Sequence, residues 1–133
     1  MPVELDHIAL NVMDVERLLR FYADIFGLET ERVAEWREGR VPFPSLRLNG
    51  HTIIDFFPSR AEELKAKDLK GLLNHFCFAV TSSTFDSAQE RVHALGGEVV
   101  GEPRQLWGAR GMALSRYYKD PEGNTFEVRC YQE

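Results

Sequence analysis

Leu5-Asp6-His7-Ile8-Ala9-Leu10-Asn11-Val12 and Leu73-Asn74-His75-Phe76-Cys77-Phe78-Ala79-Val80 are two versions of one pattern, and this repeat decides the fold. Each version reads Leu, then Asp or Asn, then His, with an apolar residue three positions after the His and a Val five positions after it. The two histidines are separated by about half of the 133-residue chain. A chain that repeats itself by halves predicts two similar modules built around a pseudo-two-fold site.

The composition is that of an ordinary soluble protein. Hydrophobic residues make up 44% and charged residues 28%, which suits a single domain over residues 1–133. The net charge of -5 argues against a nucleic-acid partner, because phosphate binding needs a surplus of Lys and Arg. No apolar run approaches the ~20 residues of a membrane span, so no membrane contact is expected. Cys77 and Cys130 form no disulfide pattern and the N-terminus lacks a signal-peptide pattern, which predicts a cytoplasmic protein.

Both halves have the same predicted order of elements, β-α-β-β-β. In module 1 (about residues 3–58) a strand alternates in polarity, Asp14 caps the following helix and Gly27 ends it. In module 2 (about residues 73–131) the predicted cap is Ser83. The strands are predicted at 5–12, 28–34, 45–48, 52–57, 74–80, 98–100, 113–118 and 125–130, with a pocket loop at 35–44 and a linker at 59–72 that holds a short helix. The expected fold class is α+β, with two tandem βαβββ modules forming a curled, cup-like mixed sheet around a central site.

Strand parity selects candidate metal ligands. Alternate residues of a strand point to opposite faces, so His7 faces away from the helix if the apolar residues of its strand face towards it. The same reasoning places His75 and Glu127 on the helix-free faces of their strands. Two imidazoles and one carboxylate form a three-ligand set that leaves coordination positions for water or substrate. The alternative for each residue is a hydrogen-bonded or solvated structural role.

The segment Lys119-Asp120-Pro121-Glu122-Gly123-Asn124-Thr125-Phe126-Glu127 resembles the Asp-Pro-x-Gly-Asn-x-x-Glu turn and strand of the vicinal oxygen chelate superfamily. The Leu-Asp-His opening and the run from Phe21 to Leu28 are also similar to the first strand and helix of that group. Its members include glyoxalase I, extradiol dioxygenases, fosfomycin-modifying enzymes and bleomycin-binding proteins. The resemblance implies that His7, His75 and Glu127 bind one divalent transition metal, and Fe, Mn, Ni, Zn and Co all suit imidazole and carboxylate ligands.

A fourth ligand is implied only for some members of the superfamily. Glyoxalase I places a Glu near the end of the last strand of the first module, where this chain has Asp55. Because Asp is shorter by one methylene, we expect a three-residue ligand set, with Asp55 as a substrate-pocket or structural carboxylate. His51 has the same parity as Asp55 and is the rival fourth ligand.

The second module carries the other candidate substrate contacts. Tyr117 lies ten residues before Glu127, a spacing similar to that of the Tyr that bonds a substrate oxygen in extradiol dioxygenases and fosfomycin enzymes. A phenol there would stabilise a developing oxyanion, and the alternative is an ordinary strand aromatic. Ser115 shares the parity of Tyr117 and would line the same wall. The Gly-bracketed segment 107–111 predicts a flexible loop whose Arg110 either clamps an anion or is a plain surface residue.

The resemblance implies a metal-dependent enzyme that chelates a small substrate through adjacent oxygens, as a dioxygenase or as a glyoxalase-like lyase or isomerase. Two alternatives stay open. One is a thiol transferase of the fosfomycin-resistance type, and the other is a non-catalytic protein that binds and sequesters a small molecule such as an antibiotic. Edge strands of four-stranded sheets need cover, and the family often forms two-fold dimers, so a homodimer is expected.

Overall fold

The structure is a computed structural model that describes residues 4–60 and 73–131. The chain divides into two compact units, Met1–Asp68 and Leu69–Glu133, whose boundary falls in the linker predicted from the repeat. The short helix predicted within that linker lies largely at residues 61–72, outside the described residues.

The first unit is a four-stranded mixed sheet covered by one long helix. Strand β1 (His7–Val12) is followed by helix α1 (Val15–Phe26), β2 (Glu29–Glu31), the short helix α2 (Val33–Arg37), β3 (Ser45–Arg47) and β4 (Ile53–Pro58). The strand order is β1-β4-β3-β2, with β1 parallel to β4 and the other pairs antiparallel. As predicted, Asp14 caps α1 by accepting a hydrogen bond from the Arg17 backbone N–H at 3.1 Å, and Gly27 ends it in the left-handed conformation.

The second unit repeats this plan. Strand β5 (Phe76–Ala79) is followed by helix α3 (Ser82–Ala94), β6 (Glu98–Gly108), β7 (Gly111–Lys119) and β8 (Thr125–Cys130). The strand order is β5-β8-β7-β6, and again the first strand is parallel to the last while the other pairs are antiparallel. The predicted α+β fold class with two similar mixed sheets is therefore confirmed.

Each of the two long helices, α1 and α3, packs on one face of its own sheet, because the apolar side chains of the strands alternate onto that face. Fully burying a side chain of this kind contributes about 1.5–3 kcal/mol. The buried set of the first unit includes Leu10, Val12, Leu18, Tyr22, Ile25, Leu46, Ile54 and Phe56, and that of the second includes Phe78, Phe85, Ala88, Val92, Tyr118, Phe126 and Val128. The opposite face of each sheet is thereby left to the residues of alternate parity, which include His7 and Glu127. No helix among the described residues is both long and apolar enough to cross a membrane.

Four local predictions were wrong. The start of the predicted loop at 35–44 is helical, because α2 occupies Val33–Arg37. Thr81 rather than Ser83 caps α3, and its hydroxyl accepts a hydrogen bond from the Thr84 backbone N–H at 3.4 Å. Strand β6 continues to Gly108. Its pairing with β7 is interrupted by a bulge between Val100 and Arg104 and resumes from Arg104 onward. Residues 109–110 then form a two-residue hairpin turn instead of a flexible loop.

Candidate active site

His75 and Glu127 lie together in the second unit. Strand β5 runs parallel to β8 with Phe76 opposite Phe126, so His75 precedes the pairing position of Glu127 by two residues. Nε2 of His75 is 3.3 Å from Oε1 of Glu127. Two atoms that bind one ion at about 2.1 Å and at roughly a right angle are about 3 Å apart. The spacing therefore fits two ligands of one metal ion.

The imidazole of His75 is oriented by the residue before it. Its Nδ1 is 2.6 Å from Oδ1 of Asn74, and because an amide oxygen only accepts, Nδ1 carries the hydrogen. Nε2 is then the nitrogen with a lone pair. His7 has the same arrangement, with its Nδ1 2.7 Å from Oδ2 of Asp6. Metal-ligating histidines are commonly oriented by such a hydrogen bond. The Asp or Asn before each His of the repeat therefore fixes the orientation of the imidazole.

The second carboxylate oxygen of Glu127 is occupied by Arg129. Nη2 of Arg129 is 2.6 Å from Oε2 of Glu127, and Nε is 3.1 Å from the same oxygen. Both side chains are buried, with 5% and 4% of their surface exposed. Burial by itself would raise the pKa of Glu127, but the hydrogen bonds and the positive charge of Arg129 lower it below its usual value. Glu127 is therefore a charged carboxylate at neutral pH with Oε1 available to another partner.

The guanidinium of Arg129 is anchored in the hairpin of β6 and β7. Its Nη2 also donates to the carbonyl oxygen of Trp107 at 2.9 Å. Its Nη1 lies 3.2–3.5 Å from oxygen atoms of Tyr131, Leu106 and Gly111. Gly108 makes room for the group, since a Cβ at that position would lie 1.8 Å from Nη1. With all of its N–H groups engaged by protein oxygens, Arg129 braces Glu127 and has no donor left for a substrate.

A cavity of about 340 Å³ includes this pair in its lining. Its size is near the lower end of the ~300–1,000 Å³ typical of small-molecule sites. A larger cavity of about 560 Å³, in the first unit, lies along α1 and contains no predicted site residue. The smaller cavity is lined entirely by the second unit: His75, Cys77, Ala79, Trp107, Gly108, Ala109, Arg110, Glu127, Arg129 and Tyr131.

Arg110 lines the same cavity from the turn between β6 and β7. Its guanidinium carbon lies 4.2 Å from the centre of the Tyr131 ring. Its backbone N–H donates to the Tyr131 hydroxyl oxygen at 3.1 Å, and this bond together with that from Arg129 lowers the pKa of Tyr131. No carboxylate within residues 4–60 and 73–131 forms an ion pair with Arg110.

Tyr117 and Ser115 stand beside the pair and outside the cavity lining. Tyr117 is opposite Glu127 in the β7–β8 register, and its ring meets the His75 ring edge-on with centroids 5.0 Å apart. Burial and the negative charge of Glu127 raise the pKa of Tyr117, so its phenol keeps its proton at neutral pH. Ser115 is buried, and its hydroxyl donates to the carbonyl oxygen of Ala113 at 3.2 Å. The hydroxyl of Ser115 is thus engaged by the backbone, while Tyr117 keeps a proton to donate.

Cys77 lies opposite Glu127 in the β5–β8 pairing and also lines the cavity. Burial and the charge of Glu127 raise the pKa of Cys77 to about 11. The thiol is therefore protonated at neutral pH and is a poor nucleophile, because the thiolate is the reactive form.

The first unit holds an equivalent pair, His7 and Asp55. In the parallel pairing of β1 with β4, His7 is opposite Ile53, and Asp55 lies two residues further along. The same offset relates His75 to Glu127, so Asp55 occupies the position in the first module that Glu127 occupies in the second.

Asp55 is buried and already engaged. The hydroxyl of Ser45 donates to Oδ1 of Asp55 at 2.6 Å. The hydrogen bond that Nδ1 of His7 donates to the carboxylate of Asp6, and to a smaller extent the charge of Asp55, raise the pKa of His7. His51 lies in the turn before β4, where its Nδ1 is 3.6 Å from a carboxylate oxygen of Glu4. His51 therefore lies against a carboxylate other than that of Asp55.

The sequence reasoning missed the residues that hold His75 and Glu127 in place. It assigned no role to Arg129 or Tyr131, although alternation along the last strand puts both on the face of Glu127. It also left the Asp or Asn before each His unexplained. Among the described residues no group of three or more His, Cys, Asp and Glu side chains is arranged as a metal site. The second unit brings together two such side chains, those of His75 and Glu127.

Comparison with known proteins shows which family and fold this chain resembles. The model of the Glyoxalase/Bleomycin resistance protein/Dioxygenase superfamily matches residues 4–128. The virulence protein STM3117 of Salmonella typhimurium is 27% identical over 96% of this chain and 83% of that protein. The glyoxalase domain-containing protein RDO1 of Mycosarcoma maydis is 29% identical over 97% of this chain and 69% of that protein. Among solved structures, the integron cassette protein VCH_CASS1 from the mobile metagenome of V. Cholerae superposes with a TM-score of 0.71 at 27% identity, over 99% of this chain and 98% of that one.

Proposed function

We propose a metal-dependent activity for this chain, which belongs to the Glyoxalase/Bleomycin resistance protein/Dioxygenase superfamily. In this proposal His7, His75 and Glu127 bind one divalent transition metal, and a small substrate binds through adjacent oxygens. The observation that carries the proposal is the 3.3 Å distance between Nε2 of His75 and Oε1 of Glu127. Both atoms bear lone pairs in the tautomer that Asn74 sets, so a proton or a metal cation must lie between them.

The donor set fits a borderline divalent ion. Imidazole nitrogen and carboxylate oxygen are the ligands that Fe, Mn, Ni, Zn and Co share, so the residues leave the identity of the metal open. A bound ion of this kind would polarise a substrate oxygen and stabilise the negative charge that develops on it. The low pKa of Glu127 means that the carboxylate is ready to bind an ion without first losing a proton.

The other residues of the site have distinct roles in the proposal. Tyr117 keeps its proton at neutral pH and would donate it to a substrate oxygen beside His75. Arg129 fixes one oxygen of Glu127 and thereby aims the other at His75. Arg110 would bind an anionic part of the substrate. Ser115 has no direct role in the proposal, because its hydroxyl donates to the carbonyl oxygen of Ala113 and it lies outside the cavity lining.

A dioxygenase-like reaction fits this ligand set better than a glyoxalase-like one. Two imidazoles and one carboxylate are the ligands of non-haem iron oxygenases. A fourth carboxylate would have to come from Asp55, which is buried and accepts a hydrogen bond from Ser45. The thiol-transferase alternative gains no support. Enzymes of that type would need a basic residue after the final Glu to bind a phosphonate, and here that residue, Arg129, donates all of its N–H groups to protein oxygens.

A second candidate function is the binding and sequestration of a small molecule without metal. The pair formed by Glu127 and Arg129 favours it, because it balances the buried charge without any ion. The cavity can therefore exist in a metal-free protein.

Reconstitution of metal-free protein with Fe(II), Mn, Ni, Zn or Co in turn separates the two functions. The test measures oxygen uptake with catechols and isomerisation of the methylglyoxal–glutathione adduct. We expect turnover with at least one metal and its loss in His75→Ala, whereas His51→Ala should retain it. Turnover that persists without metal, or in His75→Ala, would contradict the proposed ligand set. Tight binding of a small molecule to the metal-free protein together with inactivity under every metal would favour sequestration.

A further inference from the structure

We infer that Arg110 and Tyr131 form an oxyanion subsite that holds a carboxylate group of the substrate at the rim of the cavity. The inference rests on the proposed function, because this subsite shares its cavity with His75 and Glu127. The turn between β6 and β7 supplies Arg110, and Tyr131 directly follows β8. The β6–β7 turn and the residue after β8 are therefore in contact at the cavity.

The guanidinium of Arg110 is available to a ligand. Within the described part of the chain it has no carboxylate partner, in contrast to Arg129, whose donors all reach protein oxygens. The contact of Arg110 with the Tyr131 ring, at 4.2 Å, positions the cation without using its N–H groups. A planar fork of N–H donors beside a cavity matches the two oxygens of a carboxylate.

The hydroxyl of Tyr131 is set up to donate. Its oxygen accepts hydrogen bonds from the Arg110 backbone N–H at 3.1 Å and from Nη1 of Arg129 at 3.2 Å. These two bonds use both acceptor positions of the oxygen, so its own hydrogen is left for another acceptor. Tyr131 lines the cavity, and an anion bound there would receive the phenol hydrogen as well as those of Arg110.

The balance of charge favours a monoanion. Glu127 and Arg129 neutralise each other in a buried pair. At the rim this leaves Arg110 as one uncompensated positive charge among the lining residues. One cation and one neutral donor suit a carboxylate, whereas a phosphonate with two negative charges would need a second cation.

The test is a titration of metal-free protein with glycolate, glycolamide and methylphosphonate, followed by amide shifts in ¹H–¹⁵N NMR spectra. The expected result is saturable shifts at Ala109 and Arg110 with glycolate, and roughly tenfold weaker binding of the neutral glycolamide. Arg110→Gln should reduce glycolate binding to the level of glycolamide. Arg104→Gln is the matched control, because Arg104 lies on the same hairpin outside the cavity lining, and it should bind glycolate like the unsubstituted protein.

Equal affinity for glycolate and glycolamide would overturn the subsite, as would a preference for glycolate that survives Arg110→Gln. Tighter binding of methylphosphonate than of glycolate would overturn the assignment to a carboxylate. Because the titration uses metal-free protein, its outcome is independent of whether His75 and Glu127 bind a metal. Failure of the subsite and failure of the proposed function are therefore distinguishable.

Discussion

The two carboxylate oxygens of Glu127 have different partners. Oε2 is held by Arg129 at 2.6 Å, and Oε1 faces His75 at 3.3 Å. A carboxylate held in this way can offer one oxygen to an ion and cannot rotate to offer both. In the proposed metal site this ion pair would fix the orientation of Glu127, which is a different role from adding stability.

Arg129→Met tests this pair in the metal-free protein. The substitution leaves a buried carboxylate without its partner, and such a loss typically costs about 3–5 kcal/mol in the free energy of unfolding. Urea denaturation at neutral pH measures it. The double variant Glu127→Gln/Arg129→Met removes both charges and should recover most of the loss. Unchanged stability in Arg129→Met alone would mean that the pair is absent in solution.

Tyr117→Phe separates chemistry from packing. The ring contact with His75 is kept and one hydroxyl is lost, so metal content and thermal stability should stay nearly the same. Turnover should fall by roughly 10²–10³ if the phenol acts as a single oxyanion donor. Glu127→Gln should behave differently and lose metal together with activity. Full turnover in Tyr117→Phe would reduce Tyr117 to an ordinary strand aromatic.

At the scale of elements, the hairpin of β6 and β7 shapes the site. Its two-residue turn carries Arg110, and Gly108 of strand β6 lies directly against the guanidinium of Arg129. A Cβ at Gly108 would lie 1.8 Å from Nη1 of Arg129 and 2.8 Å from the hydroxyl oxygen of Tyr131. The lack of a side chain at this position is therefore what permits Arg129 to reach its partners.

Gly108→Ala should destabilise the protein by about 1–3 kcal/mol, the usual cost of adding a methyl group to a filled site. Gly50→Ala is the matched control, because a Cβ at Gly50 meets nothing within 4 Å. The control should stay within about 0.5 kcal/mol of the starting protein. Chemical denaturation of both variants checks the prediction, which fails if Gly108→Ala is no less stable than Gly50→Ala.

Local features of the strands could be predicted from the sequence, whereas features that depend on distant contacts could not. The alternation in β1, β5 and β8 predicted the buried faces and placed His75 and Glu127 on the same side, because parity is a local property. The length of β6 could not be predicted, since its pairing resumes only after a bulge that follows from contacts with β7. The bonds of Arg129 to Leu106 and Trp107 join residues more than twenty positions apart, and no local pattern encodes them.

At the scale of the whole molecule, the repeat explains the arrangement of both sheets. Each module places its first strand parallel to its last, and in each an acidic residue lies two positions beyond the partner of the His. The two modules differ in what holds that acid. Asp55 is held by Ser45, whereas Glu127 is held by Arg129. The longer, ion-paired carboxylate of the second module is therefore the better candidate ligand.

We also predict a homodimer. Strands β1 and β5 are edge strands of their own sheets, and such edges are usually covered in soluble proteins. The second unit also exposes Trp107, Met112 and Leu114, by 78%, 58% and 36%, and large exposed apolar groups of this kind often mark an interface. Light scattering at micromolar concentration should give twice the mass of one chain. A monomeric mass would contradict the prediction.

Calorimetric titration of metal-free protein with Co²⁺ tests the proposal that His7, His75 and Glu127 bind a single divalent metal. We expect one ion per chain, and loss of this stoichiometric site in His7→Ala, His75→Ala and Glu127→Gln. His51→Ala should bind as the unsubstituted protein does, since His51 lies in a separate turn beside Glu4. Absence of a stoichiometric site in the unsubstituted protein, or unchanged binding in His75→Ala, would contradict the account.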